Sequence, residues 1–534
     1  MTKILKWYIL IYRKKGITLK ELIIIETHGR TTLYANYTEK EFLSGTREEQ
    51  GARVVGILEN IKFNGIHEQN YAETKYLEDY LYGIQDIRYK IKKTRTDINN
   101  TSVENWAYAM VDWKKTFLLG KPVKYAPAND VSNEEIIELN SYMTYEDKNN
   151  LDLELWEDVL SVGRGYRYVN TTKITEEDET PFEIVNLDPK MTEVVYSSGI
   201  NKEQLCAYVQ TEMVSYEKTY NEIEKKEEFI EKPYNEYTVY TRNAQFVITD
   251  KDGNWKIESS KPLILREHLI TEYYLNRRRM SVIEIGKDIF DDINRVENLD
   301  LDDIEQFVNS IMVFTNAEVN KEGMDAIKEY GAVSIKSTEQ KKASVEILQS
   351  RLKSLDTQIF YLRKIGSLFD ILGVPKPSSD SNSNAETGKA SLTGQGFTSS
   401  NIRVEGEELA FKKGDKNSLK TIIKICKRSP KSKIKNLKVS DVVIKLSRDL
   451  SENILVKSQA LMNLATANIP PEIRNQVINL FSDPAMVTKL QKAYEEEKRK
   501  IQEEMTKKSN NNENKVNEQN NKISKTVENE KQGN

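Results

Sequence analysis

Apolar side chains recur at Tyr76, Leu77, Tyr80, Leu81, Ile84 and Ile87 between Glu73 and Ile91, a helical spacing that Gly83 interrupts. Asn99-Asn100 reads as a turn, and Ser102 is placed to cap a helix carrying Trp106, Met110, Trp113 and Phe117 on one face. That helix should end before Gly120-Lys121-Pro122, because proline disfavours helix at the residue preceding it. Ser132, with Glu135 at the capping-box offset, opens another helix, and a third from Leu151 to Val162 ends at Gly163-Arg164-Gly165. The period then shortens to two. Strands are expected through Tyr166, Tyr168 and Val169, then over 182–185, 192–196, 205–211 and 237–248, and the turn Asp252-Gly253 predicts a hairpin with Trp255–Ile257. The first sixty residues mix β-branched pieces (Ile17–Glu26, Thr31–Tyr37) with charge and yield no assignment.

Past Arg279 the texture changes. Ile285, Ile289, Ile293, Val296, Leu299, Ile304, Phe307, Val308 and Ile311 fall near helical period in a proline-free stretch from Ile283 to Ile311. A short α/β insert (Phe314–Ser344, with 331–335 as its strand) precedes a second long helix, Val345–Leu372, which stops at Gly373-Val374-Pro375. Lys376–Ser400 is loop-like, rich in Ser, Asn, Gly and Thr. Helix resumes near Val404 and runs to about Cys426. A strand (Asp441–Leu446) follows, then helices from about Asn453 and Pro471 and a charged helix to about Met505. The last 27 residues, from Lys508, hold nine Asn and no aromatic, too little apolar surface to offset ordering entropy, so disorder is expected.

Composition narrows the class. The chain has 534 residues, and at ~150 residues per domain that suggests three or four units. Its 79 basic and 83 acidic residues leave a net charge of −4, which excludes a simple polycation. Two cysteines exclude a disulfide framework or a four-cysteine zinc site, and fit a reducing, intracellular origin. The apolar run Trp7–Tyr12 is too short for a signal peptide or a membrane span, so a protein without membrane association is expected.

Enzyme motifs fail one by one. Lys389 in Glu-Thr-Gly-Lys-Ala-Ser resembles a P-loop only superficially, since Ser383 replaces the first glycine and Ala390 the magnesium-binding hydroxyl. Gly163-Arg164-Gly165 and Gly394-Gln395-Gly396 lack the third glycine of a dinucleotide fingerprint. No His-Glu-x-x-His or Gly-x-Ser-x-Gly occurs. Neither catalysis nor a cofactor or metal is expected.

The near-neutral total hides two opposed segments. From Glu284 to Glu305 nine carboxylates face only Lys287 and Arg295, a net −7, whereas Lys412–Lys438 carries +10. Each reads either as a solvated face or as a surface tuned to phosphate, repelling it in the first case and attracting it in the second. Adjacent pairs such as Asp291-Asp292 and Asp302-Asp303 point about 100° apart on a helix, so neither pair converges on one ion.

The order of several blocks resembles a known family. Tyr80-Leu81-Tyr82-Gly83-Ile84-Gln85-Asp86-Ile87, Asp97-Ile98-Asn99-Asn100, Glu104-Asn105 and Leu118-Leu119-Gly120-Lys121-Pro122-Val123-Lys124-Tyr125 resemble, in succession, the portal proteins of tailed double-stranded-DNA bacteriophages with long tails. Leu160–Tyr168, the acidic Ile289–Ser310, and Asn384-Ala385-Glu386-Thr387-Gly388-Lys389-Ala390 continue the likeness, which spans roughly residues 75–490. The resemblance implies a mixed α+β, elongated subunit assembling into a ring. In that reading 1–74 is an unassigned N-terminal extension and 75–280 an α+β wing. Residues 281–313 and 345–375 are stem helices around a clip, 314–344. A tunnel loop (376–403), a wing helix and strand (404–450), a helical crown (451–506) and a disordered tail (507–534) complete it.

By the same resemblance Glu284, Asp288, Asp291, Asp292, Asp302 and Asp303 would line a DNA channel, and Lys376, Asn384, Thr387, Gly388 and Lys389 would face DNA from the tunnel loop. The implied partners are eleven further copies in a twelve-subunit ring, double-stranded DNA held non-specifically, the terminase large subunit, a head–tail adaptor, and the major capsid and scaffolding proteins. The implied place is the capsid vertex of the virion, with the host cytoplasm during assembly. Two other readings compete: a magnesium-dependent nucleic-acid enzyme, and a helical capsid scaffold without a channel.

Overall fold

The computed structural model describes residues 29–93, 96–128, 133–171, 180–221, 226–308, 311–315, 344–348, 354–376, 397–447, 454–467, 469–470, 474, 487 and 489–503. The chain runs through β1 (Leu33–Ala35), α1 (Glu39–Phe42), α2 (Arg47–Asn64), α3 (Ile66–Leu81), α4 (Trp106–Leu119), β2 (Lys124–Pro127), α5 (Asn133–Tyr145) and α6 (Lys148–Val162). It continues through β3 (Arg164–Thr171), β4 (Phe182–Leu187), β5 (Thr192–Ser197), β6 (Gln204–Asn221), β7 (Lys226–Thr241), β8 (Ala244–Thr249), β9 (Lys256–Pro262) and β10 (Ile270–Tyr274). Then come α7 (Val282–Val308), β11 (Ile311–Thr315), β12 (Ser344–Leu348), α8 (Ser354–Leu372), α9 (Phe397–Arg428), β13 (Val442–Lys445) and α10 (Ile454–Thr466). The class is mixed α+β, as expected. Two units emerge: a larger one from 1–117, 151–169 and 185–418, and a smaller one from 118–150, 170–184 and 419–534.

In the larger unit a six-stranded sheet has the order β1-β5-β6-β7-β8-β9. Only β1 joins its neighbour in parallel. Helix α2 lies on this sheet because Val54, Ile57, Leu58 and Ile61 repeat at helical spacing and bury against Leu205, Tyr208, Val239, Phe246 and Ile248. A capping box between Thr46 and Glu49 starts α2, and Gly65, at φ +62°, ends it. The unassigned first segment therefore contributes a core helix and an edge strand from residue 33 on, and the structure shows no break at residue 74.

Strand β3 departs from simple alternation. It pairs with β10, and both Arg164 and Arg167 are buried within it. Each guanidinium is matched by a carboxylate: Arg164 donates to both oxygens of Glu193 at 2.7 and 2.8 Å, and Arg167 to Asp152 at 2.6 Å. Such pairing is what makes a buried charge tolerable.

In the smaller unit β2 pairs antiparallel with β13. Asn140 of α5 clamps Tyr125 by accepting its N–H at 3.0 Å and donating to its carbonyl at 2.9 Å. Glu135 accepts the backbone N–H groups of Asn436 at 3.2 Å and Leu437 at 2.7 Å, tying α5 to the segment after α9.

Several expectations shift. Helix α3 begins at Ile66, earlier than the periodicity suggested, and its chain breaks at Gly83, φ +88°. Helix α4 begins at Trp106, where Asn105 Oδ1 accepts the Tyr108 N–H at 3.2 Å; Ser102 instead bonds Asn298. Its buried stripe is Ala107, Met110, Val111, Lys114 and Leu118, while Trp113 stacks on Phe117 at 4.6 Å. The run 237–248 is two strands, divided at 242–243, because the Thr241 hydroxyl accepts the Ala244 N–H and donates to the Ala244 carbonyl, closing a tight turn. Residues 345–348 form strand, not helix: Val345 and Ile347 pair with Phe314 and Met312, and α8 starts only at Ser354. The expected strand at 331–335, Ser132, most of 376–400, the helix start at Pro471 and the tail lie outside the described residues.

Candidate functional site

Helix α7 carries the acidic segment, and its carboxylates have divergent fates. Ser281 and Glu284 form a capping box: the Glu284 N–H reaches Ser281 Oγ at 3.0 Å, and Glu284 Oε2 accepts the Ser281 N–H at 2.7 Å. The other Glu284 oxygen accepts the Gly29 N–H at 2.8 Å and pairs with Arg30, and both of these side chains are fully buried. Burial lowers Arg30 from the ordinary arginine value, opposed by Glu284 and Glu73. Glu284 thus anchors the base of α7 inside the subunit.

Two turns on, Asp291 accepts from Tyr80 at 2.7 Å and from Lys287 at 2.7 Å. Asp292 accepts from Lys364 of α8 at 2.7 Å. Asn294 and Asn298, both buried, continue the polar seam by bonding the backbone of Glu104 and Ser102. Asp302 is buried too, held by Lys90 at 2.7 Å, Lys92 at 2.8 Å and the Asn100 N–H at 2.7 Å. Asp288 is exposed and Asp303 half-buried. Four cations from outside the helix (Arg30, Lys90, Lys92 and Lys364) therefore offset part of its −7 charge.

What remains is concentrated near the C-terminal half. Partial burial raises Glu297 and Asp300 from their ordinary values, with Glu104 and Asp300 adding to the effect on Glu297 and Asp303 to that on Asp300. Asp302 moves oppositely: although burial alone would raise it, Lys90, Lys92 and Asn100 hold it far below the ordinary aspartate value of 3.8. Its contribution to stability is thus complete above pH ~4 and is lost as pH falls further. Asp302→Asn should cost about 1–3 kcal/mol at neutral pH and flatten the acid limb of the stability profile below pH ~4, measurable by urea unfolding across pH. An acid limb unchanged from wild type would show that the Asp302 cluster does not hold the helix.

The candidate loop residues fare unevenly. Lys376 is exposed and pairs with Asp370 at 2.8 Å, whereas Asn384, Thr387, Gly388 and Lys389 lie outside the described residues. The linear sequence gave no sign of Arg30, Lys90, Lys92 or Lys364 as partners of α7. The spacing of Asn294 and Asn298, one helical turn apart beside an apolar stripe, could have signalled the buried seam.

Among the described residues no group of three or more His, Cys, Asp or Glu is placed to hold a metal ion. Cys206 and Cys426 are buried, and burial pushes each thiol up to about 12, away from nucleophilic use. A cleft of about 380 Å³ is lined by Glu78, Lys115, Glu157, Asp158, Asp188 and Lys190, but Lys190 pairs with Glu78 and Lys115 with Glu157. Among the described residues no helix is long and apolar enough to cross a membrane.

Residues 62–517 match the family model of phage portal proteins of the SPP1 Gp6-like type. The chain belongs to this phage portal family. No curated protein matches it. The portal match takes in α3 through α10, and so contains α7 with all its carboxylates and the basic segment of α9. Arg30 and most of α2 precede the matched stretch, yet they complete the portal subunit's core and the anchor of Glu284. The portal family is a structural one.

Proposed function

We propose that the protein is the portal subunit that forms the ring-shaped channel at one capsid vertex, through which DNA is packaged and ejected, and the docking platform for the terminase motor and head–tail connector. The family match over residues 62–517 carries this reading. Support comes from the two long helices α7 and α8, which pack together and bracket the insert between β11 and β12. In this reading α7 and α8 are the stem, the insert is the clip, and residues 451–506 are the crown.

A conduit needs weak, non-specific contact with phosphate, since tight binding would stall translocation. With Glu284 and Asp302 used inside the subunit, the candidate lining residues left to face DNA are Asp288 and Asp303, together with Asp291 and Asp292 on their half-exposed edges. Repeated around a ring they would repel the DNA backbone from all sides and keep it centred. Lys376 and Lys389 would be the loop cations nearest to phosphate. ATP hydrolysis would belong to the terminase partner.

Native mass spectrometry and top-view imaging should show rings near twelve subunits with a central pore. Monomers or dimers under every assembly condition would overturn the reading. In assembled particles, Asp288→Asn with Asp303→Asn should leave ring formation intact and alter DNA packaging or retention. Packaging indistinguishable from wild type would remove the repulsive lining while leaving the portal assignment in place.

A further inference from the structure

The strands β6 and β7 extend well past the sheet they belong to. Strand β5 covers β6 only as far as Val209, and β8 covers β7 only down to Glu236. The ten rungs from Glu212/Asn235 to Asn221/Lys226 are paired strand to strand and form a two-stranded ribbon. At ~3.3 Å per residue it is about 30 Å long. Val214/Pro233, Tyr216/Glu231 and Lys218/Phe229 are opposed rungs on one face, and Val214, Tyr216 and Phe229 are 49%, 64% and 63% exposed.

Two-stranded ribbons are marginal in water without a surface to pack on, and large exposed apolar side chains mark contact surfaces. Pro233 lacks the N–H that strand addition would use, so the ribbon is suited to contact through its face. Its charge indicates what that contact is. Residues 212–235 carry seven glutamates against four lysines, a net −3, whereas residues 419–438 of the smaller unit carry seven lysines and Arg428 with no acid. Lys420, Lys431 and Lys433 there are exposed.

We infer that the β6–β7 ribbon is an intersubunit arm that docks on the basic 419–438 surface of a neighbouring copy of this chain. The contact would be heterologous: ribbon and basic surface are different patches, each copy offering one and receiving the other. Such head-to-tail contacts close into rings when the rotation allows. This inference rests on the ring reading above and adds which surfaces meet.

The test compares assembly of the wild type with three variants by analytical ultracentrifugation and native mass spectrometry. In the first, residues 213–234 are replaced by Asn-Gly, keeping the rungs within the six-stranded sheet. It should remain folded by circular dichroism and lose rings. In the second, Glu227→Lys, Glu228→Lys and Glu231→Lys should raise the protein concentration needed for assembly by at least ~10-fold, about 1.4 kcal/mol, with a reduced dependence on salt. In the third, adding Lys420→Glu, Lys431→Glu and Lys433→Glu to those changes should restore assembly to within ~3-fold of wild type. Rings from the truncated variant, or no rescue by the charge swap, overturn the arm while leaving the ring reading intact. A wild type that never assembles overturns both.

Discussion

Glu284→Gln should lower the stability of the protein to urea by up to about 3–5 kcal/mol, because it strips the buried Arg30 of its closest carboxylate and leaves it only Glu73, at 3.4 Å. Both side chains are fully buried, and Glu284 also caps α7 and accepts the Gly29 N–H. The companion variant Arg30→Met with Glu284→Gln removes the stranded charge and should recover a large part of the loss. A carboxylate that served only to repel DNA would behave differently: its removal would spare the fold and change packaging alone. Glu284→Gln with wild-type stability would therefore return Glu284 to the set of exposed channel charges.

The second large effect is expected at Gly163. This residue ends α6 at φ +88°, and a Cβ built there would lie 1.9 Å from the Arg279 carbonyl oxygen. Gly29 presses on the same turn, with a Cβ position 2.0 Å from the Arg278 carbonyl oxygen. Gly163→Ala combines left-handed strain with a backbone collision that no side-chain rotation relieves, and should cost roughly 2–5 kcal/mol. Gly56 is the internal contrast. It lies within α2, and a Cβ there would meet nothing within 4 Å. Gly56→Ala should be neutral or stabilising by about 0.5–1 kcal/mol. Equal effects of the two changes in equilibrium unfolding would show that the turn at 278–280 yields freely.

The sequence revealed local features better than distant partnerships. The period of α7, the end of α4 at Leu119 and the β8–β9 hairpin around Gly253 were legible because their causes lie within a few residues. The stripe Val54, Ile57, Leu58 and Ile61 was missed, since the same helix holds Gly51, Gly56 and several charged residues that dilute the helical signal. The ribbon at 212–235 was missed for a related reason: its glutamates and lysines break the apolar alternation that announces a strand. Val345–Leu348 reads equally as a helix turn or a strand, and only its pairing with Ile311–Thr315 decides. The acidic α7 was visible at once, but which carboxylates it spends internally depends on cations as far away as Arg30, Lys90 and Lys364.

The pairing of Arg30 with Glu284 spans 254 positions of the chain. During synthesis at ~5–20 residues per second, Arg30 leaves the ribosome roughly 10–50 s before its carboxylate exists. Until then the Gly29–Arg30 segment has Glu73 for Arg30 but lacks the Glu284 carboxylate that pairs with Arg30 and accepts the Gly29 N–H, so the N-terminal edge of the larger unit lacks part of its anchor. Completion of this edge is therefore expected to await translation of α7. A growing chain stalled before residue 284 would be expected to leave this edge open and accessible to chaperones or proteases, and a fusion placed directly against Gly29 would be felt at the root of α7.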